Sequence, residues 1–358
     1  MTTHRIASLP GDGIGLEVVP AAQRVLDAAG KRHGFSFDWT GFEWGCEHYT
    51  RTGRMMPEDA LDTLKGFDSI FLGAVGYPGV PDHVSLWGML IPIRRAFEQY
   101  VNLRPVKLLR GITSPLRGIE PGDLDFLVVR ENNEGEYSEI GGRLYRGTPR
   151  ELAVQEAVFT RAGVERVQRY AFELARSRGG RCDSATKSNG IIHTMPFWDE
   201  VFRGIAAGYP DVDSREYHID ALAALFVLDP RRFDVVVASN LFGDILTDLG
   251  AAIVGSIGIA PSANLNPEGT YPSMFEPVHG SAPDIAGKGI ANPIGQIWSG
   301  AMMLDHLGHE QAATEIVDAI ERVLDEAAVR TPDLGGSATT EDVTAAVIEQ
   351  LGQQGGGA

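Results

Sequence analysis

Residues 233–248 read Phe233-Asp234-Val235-Val236-Val237-Ala238-Ser239-Asn240-Leu241-Phe242-Gly243-Asp244-Ile245-Leu246-Thr247-Asp248. The apolar, β-branched run at 233–238 predicts a buried strand. A helix beginning near Phe242 sets Asp244 and Asp248 on one face, one turn apart. Two hard oxygen donors on a rigid element suit Mg²⁺ or Mn²⁺. The pair has a second reading, because the first turn of any helix favours acids beside its dipole. A buried strand leading directly into a helix is the repeating unit of an α/β fold.

The same alternation runs outward in both directions. Strands are expected at 5–9, 35–42, 69–72, 124–130 and 235–238. Helices are expected at about 15–30, 57–65 and 164–177, and in the region 200–207. The pattern predicts an α/β protein with a largely parallel sheet and no internal repeat. Residues 137–155 are rich in Gly and Arg with β-type alternation, which predicts an extended arm or hairpin outside the core. The Gly/Gln tail 352–358 is expected to be disordered. A length of 358 accommodates one large or two ordinary domains. No linker composition divides the chain, so two domains would share the sheet.

With 43% apolar and 22% charged residues, the composition is that of a soluble globular protein able to bury a sizeable core. Its 48 acids against 31 Lys and Arg give a net charge of −17, which argues against nucleic acid or an anionic membrane as partner. A small anionic substrate stays open, because local arginines can override the global field. Cys46 and Cys182 form no CxxC pattern, so neither a disulfide framework nor a zinc site is expected. Met1-Thr2-Thr3-His4-Arg5 runs straight into a strand, with no apolar leader and no membrane-length apolar run. A cytoplasmic protein is expected.

Gly11-Asp12-Gly13-Ile14-Gly15 follows the first strand but departs from G-x-G-x-x-G, because its third Gly comes one residue early. A tight turn before a helix, near a ligand, explains it better than a dinucleotide fingerprint. Arg94, Arg95 and Arg104 lie among apolar residues in the segment 87–105, and Arg130 ends a strand. Guanidinium forks bind carboxylates bidentately, so a di-acid would account for them, although each alone reads as readily as a surface ion pair. Arg95 keeps that plainer reading. Tyr137 and Lys187 form a candidate acid/base pair if the ammonium depresses the phenol pKa. Asp220 sits where a strand meets a helix, and its plainer role is an N-cap. His279-Gly280-Ser281-Ala282-Pro283-Asp284-Ile285-Ala286-Gly287-Lys288-Gly289-Ile290-Ala291-Asn292-Pro293 is a long small-residue loop that lets backbone approach a ligand. Its Asp284 is suited to accept from ribose hydroxyls and to repel a 2′-phosphate.

Together these segments resemble the β-decarboxylating dehydrogenases, the family of isopropylmalate, isocitrate, homoisocitrate and tartrate/D-malate dehydrogenases. The resemblance spans about residues 5–351 and rests on LPGDGIG (9–15), the Arg94 to Pro105 segment with its NLRP, VRENNEGEY (129–137), ASNLFGDILTDLGA (238–251) and EPVHGSAPDIAGKGIANP (276–293). It implies an isopropylmalate-dehydrogenase-like α/β fold, not a Rossmann fold, with two domains on one continuous sheet. Residues 1–98 and 257–358 would form the first domain, carrying the NAD loop 279–293. Residues 99–256 would form the second, with the dimer interface and the arm at about 137–155. The active site would lie between the domains and be shared between the subunits of a homodimer.

The resemblance also implies roles. Arg94, Arg104 and Arg130 would hold the carboxylates of a malate-type substrate. Asp244 and Asp248, with Asp220 of a second subunit, would ligate Mn²⁺ or Mg²⁺. Lys187, also of that second subunit, and Asp220 would take the C2-hydroxyl proton, and Tyr137 would protonate the carbon left by CO₂. Asn189 would lie near the nicotinamide of NAD. His279, Gly280, Ser281, Ala282, Asp284, Ile285 and Asn292 would line the adenosine half. A monovalent cation, K⁺, belongs to the same set of expectations.

The residues ahead of Arg94 bear on substrate. Gly88 and Leu90 stand where NADP-type isocitrate dehydrogenases carry Ser and Asn, and Asp284-Ile285 replaces their Lys-Tyr, which disfavours isocitrate and NADP. Trp87 replaces an acid common in isopropylmalate enzymes, although Leu90-Ile91 keeps an apolar wall. Ser85-Leu86-Trp87-Gly88 and Ser184 to Asn189 look like the tartrate/D-malate members, with Met89 and Pro92 as departures. The expected reaction is NAD-dependent oxidation of D-malate and tartrate; the alternative is 3-isopropylmalate oxidation in leucine synthesis.

Overall fold

The computed structural model describes residues 2–326 and 328–353. In chain order its strands are β1 Thr2–Gly11, β2 Phe35–Gly41, β3 Ser69–Ala74, β4 Val101–Lys107, β5 Asp125–Glu131, β6 Gly141–Leu144, β7 Leu152–Gln155, β8 Arg181–Thr186, β9 Asp213–His218, β10 Val235–Ala238, β11 Pro261–Leu265 and β12 Ser273–Pro277. The fold is mixed α/β, as the alternation requires. The chain divides into two compact units: Met1–Gln99, Pro105–Leu124 and Ala251–Ala358 make the first, and Tyr100–Arg104 and Asp125–Gly250 the second.

In the first unit the strands run in the order β2-β1-β3-β12-β11. β2, β1, β3 and β12 pair in parallel, and β11 pairs antiparallel with β12. All six residues of β3 are buried, which is why it reads as a short continuous apolar run rather than an alternating one. The long helix Gly15–His33 packs against the helices Ile294–His306 and Thr340–Gln353. Gly352 and Gln353, expected to be disordered, instead close the last of these helices, where Val347 and Leu351 are buried. The rest of that tail, 354–358, lies outside the described residues.

In the second unit β5, β10, β8 and β9 form a parallel set, with the start of β4 beside β5. The helices Arg161–Ser177 and Thr194–Ala206 pack against it and against each other. The four residues Val235–Ala238 are fully buried, as their composition predicts. The expected arm is the antiparallel hairpin β6-β7, exposed at every residue. Asp220 is not an N-cap: the helix Ile219–Leu228 is preceded by His218 at that position, so Asp220 falls in the first turn. Among the described residues no helix is long and apolar enough to cross a membrane.

Candidate active site

In the second unit the site is built around Asp244, on the helix Asn240–Ile253 that follows β10. Arg130, at the end of β5, is 2% exposed. Its Nε and Nη2 donate to Asn240 Oδ1 at 3.1 and 2.6 Å, and its Nη1 donates to Asp244 Oδ1. This close passage depends on Gly243, where an added Cβ would lie 2.6 Å from Arg130 Cγ. Arg104 reaches in from β4, and its Nη1 donates to Thr247 Oγ1 at 2.6 Å and to Asp244 Oδ1 at 3.3 Å. The Tyr137 hydroxyl donates to Asp244 Oδ2 at 3.0 Å. Thus four of the expected residues, Arg104, Arg130, Tyr137 and Asp244, meet in one network.

The turn between β5 and Tyr137 is clasped onto the same helix. Glu131 is fully buried and accepts the N–H groups of Asn133 and Glu134, the latter at 2.6 Å. Glu136 accepts the Ser239 hydroxyl at 2.8 Å and the Leu241 N–H at 3.0 Å, so its carboxylate serves the open helix N-terminus. That cap starts the helix at Asn240 rather than near Phe242. Asn240 Nδ2 completes the clasp by donating to Glu134 O at 3.3 Å.

The charges follow from these contacts. Burial first, and then the negative Asp244, push the Tyr137 phenol above its ordinary pKa, with Arg130 pulling the other way. Within one chain the phenol lies against a carboxylate and a guanidinium. Asp248, one turn beyond Asp244, is also pushed up, by desolvation first and then by Asp244. Lys187 Nζ donates to Asp220 Oδ1 at 2.5 Å, and this bond holds the Asp220 carboxyl below its ordinary value. Asn189 is exposed in the turn after Lys187.

In the first unit Arg94 is buried near the end of the helix Ile91–Ala96, and its Nη2 donates to Glu276 Oε1 at 2.7 Å. Asn264 Nδ2 donates to the same oxygen at 2.7 Å, while Arg94 Nε is buried without a partner among the described residues. The preceding residues Leu86–Leu90, expected from the sequence to bear on substrate, form a π-type turn of the kind often found at functional sites. The Arg95 guanidinium lies 5.1 Å from the centroid of the Trp87 ring.

The loop 279–293 occupies the same unit. His279 is buried; its Nδ1 lies 3.0 Å from Gly280 O, and its Nε2 has no partner among the described residues. Burial lowers its pKa, which favours the neutral ring. Ala282 holds φ +40°, a strained value for a residue with a side chain. Ser281 O accepts the Ile14 N–H at 2.9 Å, and a Cβ on Gly13 would lie 2.1 Å from that oxygen. The GDGIG turn is thus a buttress for this loop. Ile285 packs with Ile14, Val18 and Ala291, and Asp284 is exposed. Asn292 works locally: its Oδ1 accepts the Ile294 N–H at 3.0 Å and its Nδ2 donates to Asp333 at 3.0 Å.

The isocitrate/isopropylmalate dehydrogenase family matches residues 5–348. The chain belongs to that family. It is 58% identical to a probable tartrate dehydrogenase/decarboxylase of Bacillus subtilis (strain 168), over 98% of this chain and 99% of the relative. It is also 58% identical to the D-malate dehydrogenase [decarboxylating] of Escherichia coli (strain K12), with the same coverage. The crystal structure of isocitrate dehydrogenase from Methylococcus capsulatus superposes with a TM-score of 0.87 at 34% identity, covering 97% of this chain and 99% of that one.

As a dehydrogenase of this family, the chain can be tested for what its residues could hold. Asp244 and Asp248 offer hard oxygens one turn apart; burial first and Asp244 second raise Asp248, and a divalent cation would offset both effects. Among the described residues no three His, Cys, Asp or Glu side chains group to hold a metal, so within one chain Asp220 does not join the pair. The partnerless buried Nε2 of His279 and the exposed Asp284 suit a loop that receives a dinucleotide. Sequence reasoning missed Asn240, Thr247, Glu136 and Glu276, which aim the arginines and the tyrosine. Their only local signal was a polar residue beside a buried strand or at the start of a helix.

Proposed function

We propose that this enzyme oxidises D-malate and tartrate with NAD⁺ and Mn²⁺ or Mg²⁺. D-malate yields pyruvate, CO₂ and NADH; L-tartrate yields oxaloglycolate; meso-tartrate yields glycerate and CO₂, with the hydride returned. The observation that carries this reading is 58% identity, over 98% of the chain, to relatives named for D-malate and for tartrate. 3-Isopropylmalate is the weaker alternative, since neither relative bears its name.

Arg94, Arg104 and Arg130 receive the substrate carboxylates, whose fork geometry matches the guanidinium. Lys187 and Asp220 of a second copy, hydrogen-bonded to each other within that chain, form the base assembly that takes the C2-hydroxyl proton as hydride leaves. Tyr137, kept protonated by burial and by Asp244, delivers a proton to the carbon from which CO₂ departs. A divalent ion held by Asp244, Asp248 and Asp220 of a second copy would polarise the C2 oxygen, and NAD⁺ on the 279–293 loop would supply the hydride acceptor. His279, Gly280, Ser281, Ala282, Asp284, Ile285, Asn292 and Asn189 serve that dinucleotide.

A homodimer is part of the reading. Exposed Leu228, Val227 and Ile245 on the second unit's helices, and Ile140, Leu144 and Val154 in or beside its hairpin, are apolar groups that a second copy would cover.

Steady-state kcat/KM with D-malate, L-tartrate, meso-tartrate and 3-isopropylmalate tests the proposal, with and without divalent ion and K⁺. Metal-dependent NADH formation with D-malate in the lead is expected. A tenfold preference for 3-isopropylmalate, about 1.4 kcal/mol, would overturn the substrate assignment.

A further inference from the structure

Glu17 lies in the first turn of the helix Gly15–His33, just beyond the GDGIG turn and some 270 residues from the loop 279–293. Its Oε1 accepts the Gly287 N–H at 2.6 Å and its Oε2 accepts the Gly289 N–H at 2.9 Å. One carboxylate therefore gathers two backbone donors from the second half of the 279–293 loop. The loop is shaped for this: Gly287 and Gly289 take φ +77° and +66°, where glycine is favoured, and nothing lies within 4 Å of a Cβ added at either. Glycine is thus required there by backbone conformation and not by crowding. Consecutive left-handed turns aim alternate N–H groups into one concavity, the arrangement that binds anions elsewhere. Here a side chain of the same molecule fills it.

The other half of the loop is fastened one turn earlier, where the Ile14 N–H donates to Ser281 O at 2.9 Å. Beyond Gly289, Thr340 closes the segment, its N–H on Gly289 O at 2.9 Å and its hydroxyl on Ala291 O at 2.6 Å. Between the fastenings at 281 and 287 stand Ala282, at its strained φ of +40°, and exposed Asp284. A strained residue persists only where its surroundings over-determine it. Glu17 supplies two charge-assisted bonds to that end, and such bonds are about twice as strong as neutral ones.

We propose that Glu17 is a positioning residue for the dinucleotide: without touching it, Glu17 holds the 282–289 segment in the conformation that presents Asp284. The inference rests on the reading of this loop as the cofactor loop. It implies that the N-terminal helix and the C-terminal loop act as one preorganised cofactor platform, with the ordering cost met at folding rather than at binding.

The test uses the full-length enzyme as wild type, Glu17→Ala, Glu17→Gln and Asp284→Ala, with circular dichroism and thermal melting as the check on folding. NADH affinity is measured by fluorescence titration, kinetics with NAD⁺ and D-malate, and backbone exchange at 282–291 by hydrogen–deuterium mass spectrometry. Glu17→Ala is expected to weaken NADH roughly tenfold. Its KM for NAD⁺ rises in step, kcat at saturating NAD⁺ and KM for D-malate hold within about twofold, and exchange at 282–291 quickens. Glu17→Gln, which keeps one acceptor oxygen, falls between. Unchanged affinity in Glu17→Ala, or unchanged exchange, overturns the proposal while leaving the loop's assignment intact if Asp284→Ala still weakens NADH. Undiminished affinity in Asp284→Ala refutes the cofactor reading itself.

Discussion

Asp244 accepts from Arg130, Arg104 and Tyr137 through its two oxygens, so a single carboxylate sets the attitude of three side chains assigned to substrate and proton transfer. Asn240 matters as much, because it takes the Nε and Nη2 edge of Arg130 and leaves Nη1 to turn inward. Gly243 is the residue that lets them meet. Gly243→Ala brings a methyl within 2.6 Å of Arg130 Cγ, and should raise KM for D-malate at least about tenfold while the fold survives. Initial rates across a D-malate series, with a thermal melt alongside, check this; an unchanged KM would show that Arg130 has no part in holding substrate. Tyr137→Phe removes the hydroxyl and nothing else. It should slow pyruvate formation by about 10²-fold or more, the usual worth of a positioned acid, with a smaller loss in oxidation of L-tartrate. Comparing NADH and pyruvate yields separates the two steps, and equal losses in both would remove the acid role.

At the scale of elements, the turn 131–137 gains its shape from carboxylates used as backbone acceptors. Glu131 is the costly one. Burial pushes its carboxyl up to about 7 from 4.5, against the pull of the Asn133 and Glu134 N–H groups. The folded protein therefore holds this proton more tightly than the unfolded chain does. The associated stability is fully present below pH 4.5 and is lost as pH rises through about 7. Glu131→Gln keeps an acceptor oxygen but cannot ionise. At pH 8 it should be more stable than wild type by up to about 3 kcal/mol, with the advantage vanishing near pH 4.5. Urea unfolding at several pH values measures the difference; parallel curves would mean that Glu131 is already charged or already neutral throughout. The existence of β1, β5, β10 and the helix Arg161–Ser177 was legible because period, branching and burial are local properties of sequence. The helix start at Asn240 was not, because its cap, Glu136, lies 105 residues away from the Leu241 N–H that it accepts. The N-cap expected at Asp220 falls two residues earlier, at His218, for the related reason that a strand running directly into a helix leaves no turn signal between them.

For the whole molecule, the apolar groups left in solvent stand out against a net charge of −17. Leu228 is 79% exposed and Ile245 53%, apolar groups that the proposed second copy would cover. Leu228→Arg should lower the native mass toward that of one 38.6 kDa chain and, if sites are shared between subunits, reduce activity with it. Native mass spectrometry and analytical ultracentrifugation decide; a monomeric wild type, or a fully active monomeric variant, would end the shared-site proposal. The sequence alone was enough for the α/β class and the family, since these reside in periodicity and in contiguous motifs. It could not show that Arg130 meets Asp244 across 114 positions, that Arg104 leans on Thr247 across 143, or that Glu17 grips Gly287 across 270. Those choices belong to tertiary structure, because a contact between distant segments depends on how every intervening element packs, and no local pattern in the chain encodes it.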